Sequence, residues 1–484
     1  MSRLIKLFIL ITFFAVIFGC ERDYMFRGGM DGVVLSTDTV MFDTIFTTIG
    51  SSTRHFRVYN PYSSDMTISK IKLMGGEDSK FKINIDGIAG YEAADVELRS
   101  GDSLFVFVEV NIDPHEDDNT FVVEDSIRFE TKELFQVVKL IAYGQDVVVL
   151  CKEKLKTTTF TNEKPYLIYN WAEVDSLEKL TIEAGARIHF HNDAYLNIRP
   201  SASIEVLGTK DEPVLFAGSR LENWYSDVPG QWGYIHLMPG SGTSQFNYAH
   251  IKNATIGLVV DSAGTKSEPV IISNSKIEHS LKQGLLAQSS NILSWNSLYA
   301  DAGSASVALL GGGHYNFFHC TIANYFQWKS RGMPALVLSN FVEDKDGLKE
   351  PRDLTAANFY NSIIYGQASD ELGLYFYDGK VDEDSDENYI PPAENYLLDH
   401  VLVRTKFDKE ILDDKKHFSN IHVNESPLFK NYNKYDYSLD TLSVAIKAGK
   451  REYAKEYDVD FFEVNRLRNE KTPDLGYVER VEEE

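Results

Sequence analysis

Cysteine is scarce in this chain. Cys20, Cys151 and Cys320 are the three present among 484 residues, too few for a disulfide framework. Cys20 has another assignment below, so the only candidate bridge joins Cys151 to Cys320. These two fall on segments expected to lie several turns of chain apart, whereas a bridge needs Cα atoms within about 7 Å. Two reduced, buried thiols are expected instead. Basic residues are also short, 48 Lys and Arg against 72 Asp and Glu, for a net charge of −24. That balance repels polyphosphates and anionic bilayers at long range, which argues against a nucleic-acid partner. It disfavours anionic polysaccharides as well, unless a local basic groove or bound cations reverse the field. No apolar run reaches the roughly 20 residues that a membrane-spanning helix needs.

The longest such run, 7–18, has 12 residues, follows Arg3 and Lys6, and ends at Gly19-Cys20. A basic start, a short apolar stretch and a small residue before a cleavage point are the marks of a signal peptide. The Gly19-Cys20 junction resembles a lipobox, which implies cleavage after residue 19, acylation of Cys20 and a membrane partner held through that lipid. Phe18 departs from the small residue usual there. Glu21 and Asp23 resemble the export tags of surface lipoproteins of Gram-negative bacteria. The expected place is therefore the cell envelope, at the outer membrane and exposed on the surface, with 20–32 as a tether.

Residues 33–150 read as a β-sandwich. Apolar and polar residues alternate at 56–59, 66–71, 104–110, 126–129 and 136–142, with Asn60-Pro61, Gly75-Gly76 and Gly101-Asp102 between, the period of half-buried strands separated by turns. About seven strands fit. The segments RVYNPYSSDMTISKI, GDSLFVFVEV and KLIAYGQD resemble immunoglobulin-like modules of bacterial surface lipoproteins, which implies a spacer. The acidic turn 115–119 is expected to be a hairpin tip, although its oxygens would suit a hard cation.

After a linker, 151–164, the chain becomes repetitive. One short unit recurs as Asn274-Ser275-Lys276-Ile277, Asn296-Ser297-Leu298-Tyr299, His319-Cys320-Thr321-Ile322 and Asn361-Ser362-Ile363-Ile364, with looser copies at 248–251 and 399–402. From Ala249 to Ser275, Ser297 and Cys320 the steps are 26, 22 and 23 residues, the period of a solenoid in which each coil covers its neighbour. Coils stacked about 4.8 Å apart would align Asn274, Asn296 and Asn361 at one bend and send Ile251, Ile277, Ile322 and Ile364 inward. Extra material enters at 340–354 and 379–392, and both insertions are expected as groove walls.

The segments LTIEAGARIHF, SASIEVLGTKDEPVLFAGS and GQWGYIHL, with the closing YDYSLDTLSVAIKAG and Pro473-Asp474-Leu475-Gly476-Tyr477, resemble right-handed parallel β-helix proteins over 165–479. The fold class expected is thus all-β, a sandwich followed by a right-handed parallel β-helix. Members of that group include pectate lyases, polygalacturonases, alginate and chondroitin lyases, and proteins without known activity, so the fold leaves the chemistry open. No diagnostic catalytic set is found, and the catalytic residues stay unassigned. His189 and His191 share one side of a strand, but two histidines without a third ligand do not make a zinc site. They read as solvent-facing strand polarity, and no metal site is assigned. The acidic run 382–388 alternates carboxylates as calcium loops do but lacks the glycine and distant glutamate of an EF-hand. No cofactor is therefore expected, calcium being the one cation that this run would suit.

Aromatics are the stronger cue. Trp224, Tyr225, Tyr325 and Trp328 fall near coil turns, where flat faces stack on sugar rings; Trp232 with Gly233 reads as structural. The anchor and aromatics leave one function, and the β-helix resemblance implies a second. One is a non-catalytic envelope lipoprotein that binds polysaccharide or has a structural or adhesive role. The other is a polysaccharide lyase or glycoside hydrolase working in a β-helix groove. The oligomeric state is left open.

Overall fold

The computed structural model describes residues 32–481 except 48–49, 114–120, 133, 266, 344, 346 and 378–390. The signal peptide, Cys20, the tether up to residue 31, and the acidic segments 115–119 and 382–388 lie outside the described residues. The chain divides into two units, parted between Asp146 and Val147.

In the first unit, alternation decides which side of each strand is buried. Leu104, Val106, Val108 and Val110 of Ser103–Val110 are buried, while Phe105, Phe107 and Glu109 face outward. Two five-stranded sheets result. One contains Arg54–Tyr59, Ser103–Val110 and Phe81–Ile85; the other contains Thr39–Phe46, Phe135–Gln145, Phe121–Glu130 and Met66–Leu73. Their inner faces share one core that includes Phe56, Val58, Phe81, Val106, Ile71, Ile127, Phe129 and Leu140, each such side chain contributing about 1.5–3 kcal/mol on burial. The sandwich thus has more strands than the sequence suggests, because short or largely exposed ones such as Ile88–Gly90 and Glu92–Leu98 carry a weak alternation.

The second unit is the parallel β-helix, a single 23-stranded sheet wound into coils. Residues 151–164, read as linker, belong to its first coil: Val148–Leu155 and Thr158–Phe160 pair in parallel with Tyr166–Val174 and Lys179–Glu183. Their alternation is faint because an end coil has a neighbour on one side only, and 151–154 stay exposed. Three inward stacks fill the coils. Ile251, Ile277, Tyr299, Ile322 and Ile364 are in register on one face. Phe246, Ile272, Ser294, Phe317 and Phe359 are in register on the second, and Leu258, Leu285, Val307, Leu336 and Leu372 on the third. Tyr299 enters the aliphatic row, its hydroxyl 2.8 Å from that of Ser294.

Asn274, Asn296 and Asn361 occupy one bend, with φ of 47°, 50° and 47°, in the left-handed region that asparagine tolerates better than most residues. Asn296 Nδ2 donates to Asn274 Oδ1 at 3.0 Å, and Asn274 Nδ2 to Asn247 Oδ1 at 2.9 Å. The next residues, Ser275, Ser297 and Ser362, accept N–H groups from the preceding coil at 3.0–3.2 Å. Cys320 takes the serine place in its coil, and burial pushes its thiol up to about 11. It is free and buried, but Cys151 is free and exposed on the first coil, so the expectation of two buried thiols holds for one of them. Trp232 lies in the core, its ring stacked on Phe190 at 4.0 Å and its Nε1 donating to the Lys252 carbonyl at 2.9 Å.

Beyond the last coil strand, His422–Val423, residues 426–481 lie back across the outside of the β-helix. Leu298, Ala300, Ala323, Ile363, Tyr365 and Leu402 point out of the coils yet are buried, because Phe429, Tyr437, Leu439, Leu475 and Tyr477 cover them. Buried Arg466 fastens this strap, donating to Glu479 at 2.7 Å, to Asn296 Oδ1 at 2.8 Å and to the Tyr477 carbonyl at 3.2 Å. Gly476 has φ +96°, and a Cβ there would meet Thr321 Oγ1 at 2.6 Å, so only glycine lets the strap approach so closely.

Asp301 anchors the strap from the coil side. Both its carboxyl oxygens lie 2.6 Å from the Tyr437 hydroxyl, and burial pushes its pKa up to about 7, against the Tyr437 hydrogen bond, with the Glu278 charge adding to the rise. A carboxyl raised on folding stabilises the folded form below its ordinary pKa of about 3.9, and that contribution is lost as pH rises through 7. His279 and His319, held low chiefly by burial, act in the opposite direction. The clean readout is therefore a difference: protection of 426–481 from amide exchange, wild type relative to Asp301→Asn, is expected to grow several-fold from pH 8 to pH 5. A flat ratio would remove Asp301 from the account.

Candidate functional site

At one corner of the β-helix the chain passes from the face of Ile251 to the face of Leu258. Most coils turn this corner in a few residues. Two do so in long loops, 219–234 and 325–335, and these hold all four aromatics singled out in the sequence.

In the first loop Trp224 and Tyr225 form a 3-10 turn, Asn223–Tyr225. Trp224 is 62% exposed and its ring centroid lies 3.9 Å from that of Tyr225. The Arg220 guanidinium sits 4.3 Å over the Tyr225 ring and reaches both oxygens of Glu222 at 3.2 Å. Gln231 Nε2 donates to the carbonyls of Tyr225 and Val228, and Asn253 Nδ2 to those of Ser226 and Val228. Backbone polar groups of the loop are thus satisfied by core-side amides, which holds the Trp224 ring as a fixed platform.

In the second loop Trp328 is 53% exposed, while Tyr325 turns inward. Tyr325 stacks on Tyr432 of the strap at 4.4 Å and packs against the strap's apolar cluster, because it continues the outward apolar row of Leu298, Ala300 and Ala323. It supports the site rather than forming a free stacking surface. The loop is pinned by Arg331, which donates to Glu371 Oε2 at 2.8 Å and Oε1 at 2.5 Å. Glu371 also accepts the N–H groups of Ala335 and Ala368 at 2.8 Å.

Beside Trp328 opens a cleft of about 630 Å³, lined by Phe326, Gln327, Lys329, Ser330, Arg331, Gln367, Ala368 and Asn433. Three amides, a hydroxyl and an ammonium supply donors and acceptors of both kinds, the inventory that matches sugar hydroxyls. Gln327, Gln367 and Asn433 come from two turns and the strap, so no spacing in the sequence marks them. The hairpin Phe341–Glu343 with Lys349–Pro351, expected as a groove wall, leaves from another corner and does not line this cleft; 379–392 lies mostly outside the described residues. Four strand steps separate the two aromatic loops, through Val214–Gly218, Ala249–Lys252, Lys276–Ser280, Leu298–Ala302 and Thr321–Asn324. The strands that bear the two loops are therefore about 19 Å apart along the axis, at the same corner.

Of the two histidines, His189 differs from its expected place, whereas His191 is half-exposed. His189 is buried, its Nδ1 3.0 Å from the Gly218 carbonyl, and burial pushes its pKa down to about 4. The loop after Gly218 covers what alternation alone marks as an outer position. His191 stacks on Tyr169 at 4.5 Å. Among the described residues no group of three His, Cys, Asp or Glu could hold a metal ion. A pair unremarked in the sequence is His250 Nε2 with Glu278 Oε1, 2.7 Å apart. Burial works to raise Glu278, but the hydrogen bond and charge of His250, with His279 and Lys276 nearby, hold it well below the usual carboxylate range.

No family model matches the chain, and no curated protein matches it. Among solved structures, 24 chains match. A family 123 glycoside hydrolase from Clostridium perfringens aligns at 8% identity over 24% of this chain, with a TM-score of 0.16; the matched part is 26% of the hydrolase's own length. A mutant of the periplasmic alginate epimerase AlgG aligns at 11% identity over 59% of this chain and 84% of its own, with a TM-score of 0.21. The collagen-binding subdomain of the Enterococcus faecalis surface protein ACE aligns at 10% identity over 25% of this chain and 99% of its own, with a TM-score of 0.11. Likenesses this slight carry no argument about what the chain does.

Proposed function

We propose that this chain is an exported lipoprotein, acylated at Cys20, that holds a glycan along one edge of its β-helix without cleaving it. The observation that carries the reading is the pair of solvent-facing rings, Trp224 and Trp328, on loops at the same corner, with an amide-lined cleft beside the second. Flat rings stack on the apolar faces of sugars, and amides satisfy the hydroxyls around them. The sandwich, which resembles immunoglobulin-like modules, serves in this reading as a spacer between the lipid in the outer membrane and the β-helix.

A catalytic role as a polysaccharide lyase or glycoside hydrolase has one observation in its favour, the His250–Glu278 pair beside Lys276. That arrangement supplies one carboxylate, already engaged, where hydrolysis uses two flanking the scissile bond.

The binding reading is tested by affinity electrophoresis through gels containing neutral polysaccharides. Trp224→Ala and Trp328→Ala are each expected to weaken retention by about 0.5–1.5 kcal/mol, roughly 2- to 12-fold in affinity, while Tyr325→Phe leaves it unchanged. Full retention in the double alanine variant would exclude this edge as the binding surface.

A further inference from the structure

We infer that the strap is a working wall of the cleft beside Trp328, so that ligand binding there and docking of the strap reinforce each other. The inference concerns the regulation of the site proposed above, and it rests on that reading for the nature of the ligand. Asn433 is its starting point. The other described residues that line the cleft come from the coils, through the loop 325–335 and the turn that holds Gln367 and Ala368, whereas Asn433 comes from the short turn Tyr432–Lys434 of the strap. A ligand that fills this cleft therefore touches two separately packed elements.

The apolar core inside the coils is one cluster and the layer beneath the strap is another, so the strap can leave while the coils stay folded. Arg466 ties it to Asn296 at the asparagine bend and stays outside the cleft. Nearer the cleft, rings and one carboxyl make the joint. Tyr325, the first residue of the cleft loop, stacks on Tyr432 at 4.4 Å with 20° between the ring planes. Asp301 accepts the Tyr325 N–H at 3.2 Å and the Tyr437 hydroxyl at 2.6 Å, so one buried carboxyl holds both the loop and the strap. Release of the strap takes away Asn433, unstacks Tyr325 and parts Asp301 from Tyr437. Arg331 holds the far side of the loop to Glu371 without help from the strap. The undocked protein thus keeps the coil side of the cleft and lacks its strap side. A ligand that binds one of two states more tightly shifts the balance towards it, and the coupling is equal in both directions.

Amide exchange and affinity electrophoresis on the full chain test this together. Arg466→Met releases the strap from a point outside the cleft, and Tyr437→Phe, which removes only a hydroxyl, is the milder variant should the first fail to fold. Without ligand, each is expected to speed exchange at the Tyr325 amide as well as in 426–481, and to leave the hairpin of Phe341–Glu343 with Lys349–Pro351 unchanged. In gels containing galactomannan, xyloglucan or dextran, Arg466→Met should bind about tenfold more weakly than wild type, within the roughly 5- to 150-fold range usual for coupled sites. Saturating Arg466→Met with the retained polysaccharide should slow exchange of its strap by a comparable factor. Asn433→Ala should weaken binding several-fold and leave the strap of the free protein as protected as before. Undiminished retention in Arg466→Met, Tyr437→Phe and Asn433→Ala, with Trp328→Ala still impaired, would overturn the inference and leave the glycan reading intact. No retention by the wild type would sink the glycan reading; the coupling of strap and loop then stands or falls on the Tyr325 amide, and unchanged exchange there in both strap variants would overturn it.

Discussion

Replacing Arg331 with methionine is expected to destabilise the β-helix by about 3–5 kcal/mol, the usual cost of removing one partner from a buried ion pair. Arg331 and Glu371 have side chains 6% and 0% exposed. Burial already pushes the Glu371 carboxyl upward, and Arg331 opposes that rise. Without the guanidinium, Glu371 must either stay charged with only the two backbone N–H donors of Ala335 and Ala368, or take up a proton and weaken those bonds. The double variant Arg331→Met/Glu371→Gln should recover much of the loss, because the uncompensated charge is gone. Urea unfolding of the three proteins reads this directly, with the sandwich as a separate unit whose transition stays unchanged. Since Arg331 also pins the loop that carries Trp328, the single variant should lose glycan retention as well. Equal stability of wild type and Arg331→Met would mean that the pair does not hold the loop.

Replacing Arg466 with methionine should release the strap. Its guanidinium joins Glu479 and the Tyr477 carbonyl to Asn296 in the asparagine ladder, so its loss strands Glu479 as a buried carboxylate and breaks the link between strap and coils. The docking is expected to weaken by about 3–5 kcal/mol. The core of the coils is a cluster distinct from the one beneath the strap, so the coils should stay folded. In limited trypsin digestion Arg466→Met is expected to be cut early at lysines of the strap such as Lys447 and Lys450, leaving the remainder resistant. Unchanged digestion would mean that the apolar contacts of Tyr437, Leu439 and Tyr477 hold the strap unaided.

The repeat was legible because its residues do one thing in each coil. Asn274, Asn296 and Asn361 recur where the backbone must turn left-handed, and Ile251, Ile277, Ile322 and Ile364 recur where the interior must be filled. The strap was not legible as a cover. Its buried residues, Phe429, Tyr437, Leu439, Leu475 and Tyr477, are scattered through loops without a period. One signal was available: Leu298–Ala302 is apolar on both sides except at Asp301 and buried throughout, as a strand covered on both faces must be. The same fact explains Tyr325, whose position near a turn suggested exposure and whose outward row is in fact covered. Trp224 and Trp328 are exposed, as residues near turns usually are, but the polar half of the cleft was hidden. Gln327, Gln367 and Asn433 meet only through the stacking of turns and the return of the strap. His189 shows the converse, an outer strand position buried by a loop that alternation does not register.

The most direct test of the account follows polysaccharide retention and cleavage together. The acylated chain, displayed in vesicles, is incubated with neutral and acidic polysaccharides, and bound glycan, new reducing ends and unsaturated products are measured in the same samples. Retention that disappears in Trp224→Ala/Trp328→Ala, with no new ends or unsaturated sugars, is the expected result. Release of cleaved product by the wild type, lost in His250→Gln, would contradict it and make the His250–Glu278 pair the centre of an enzyme.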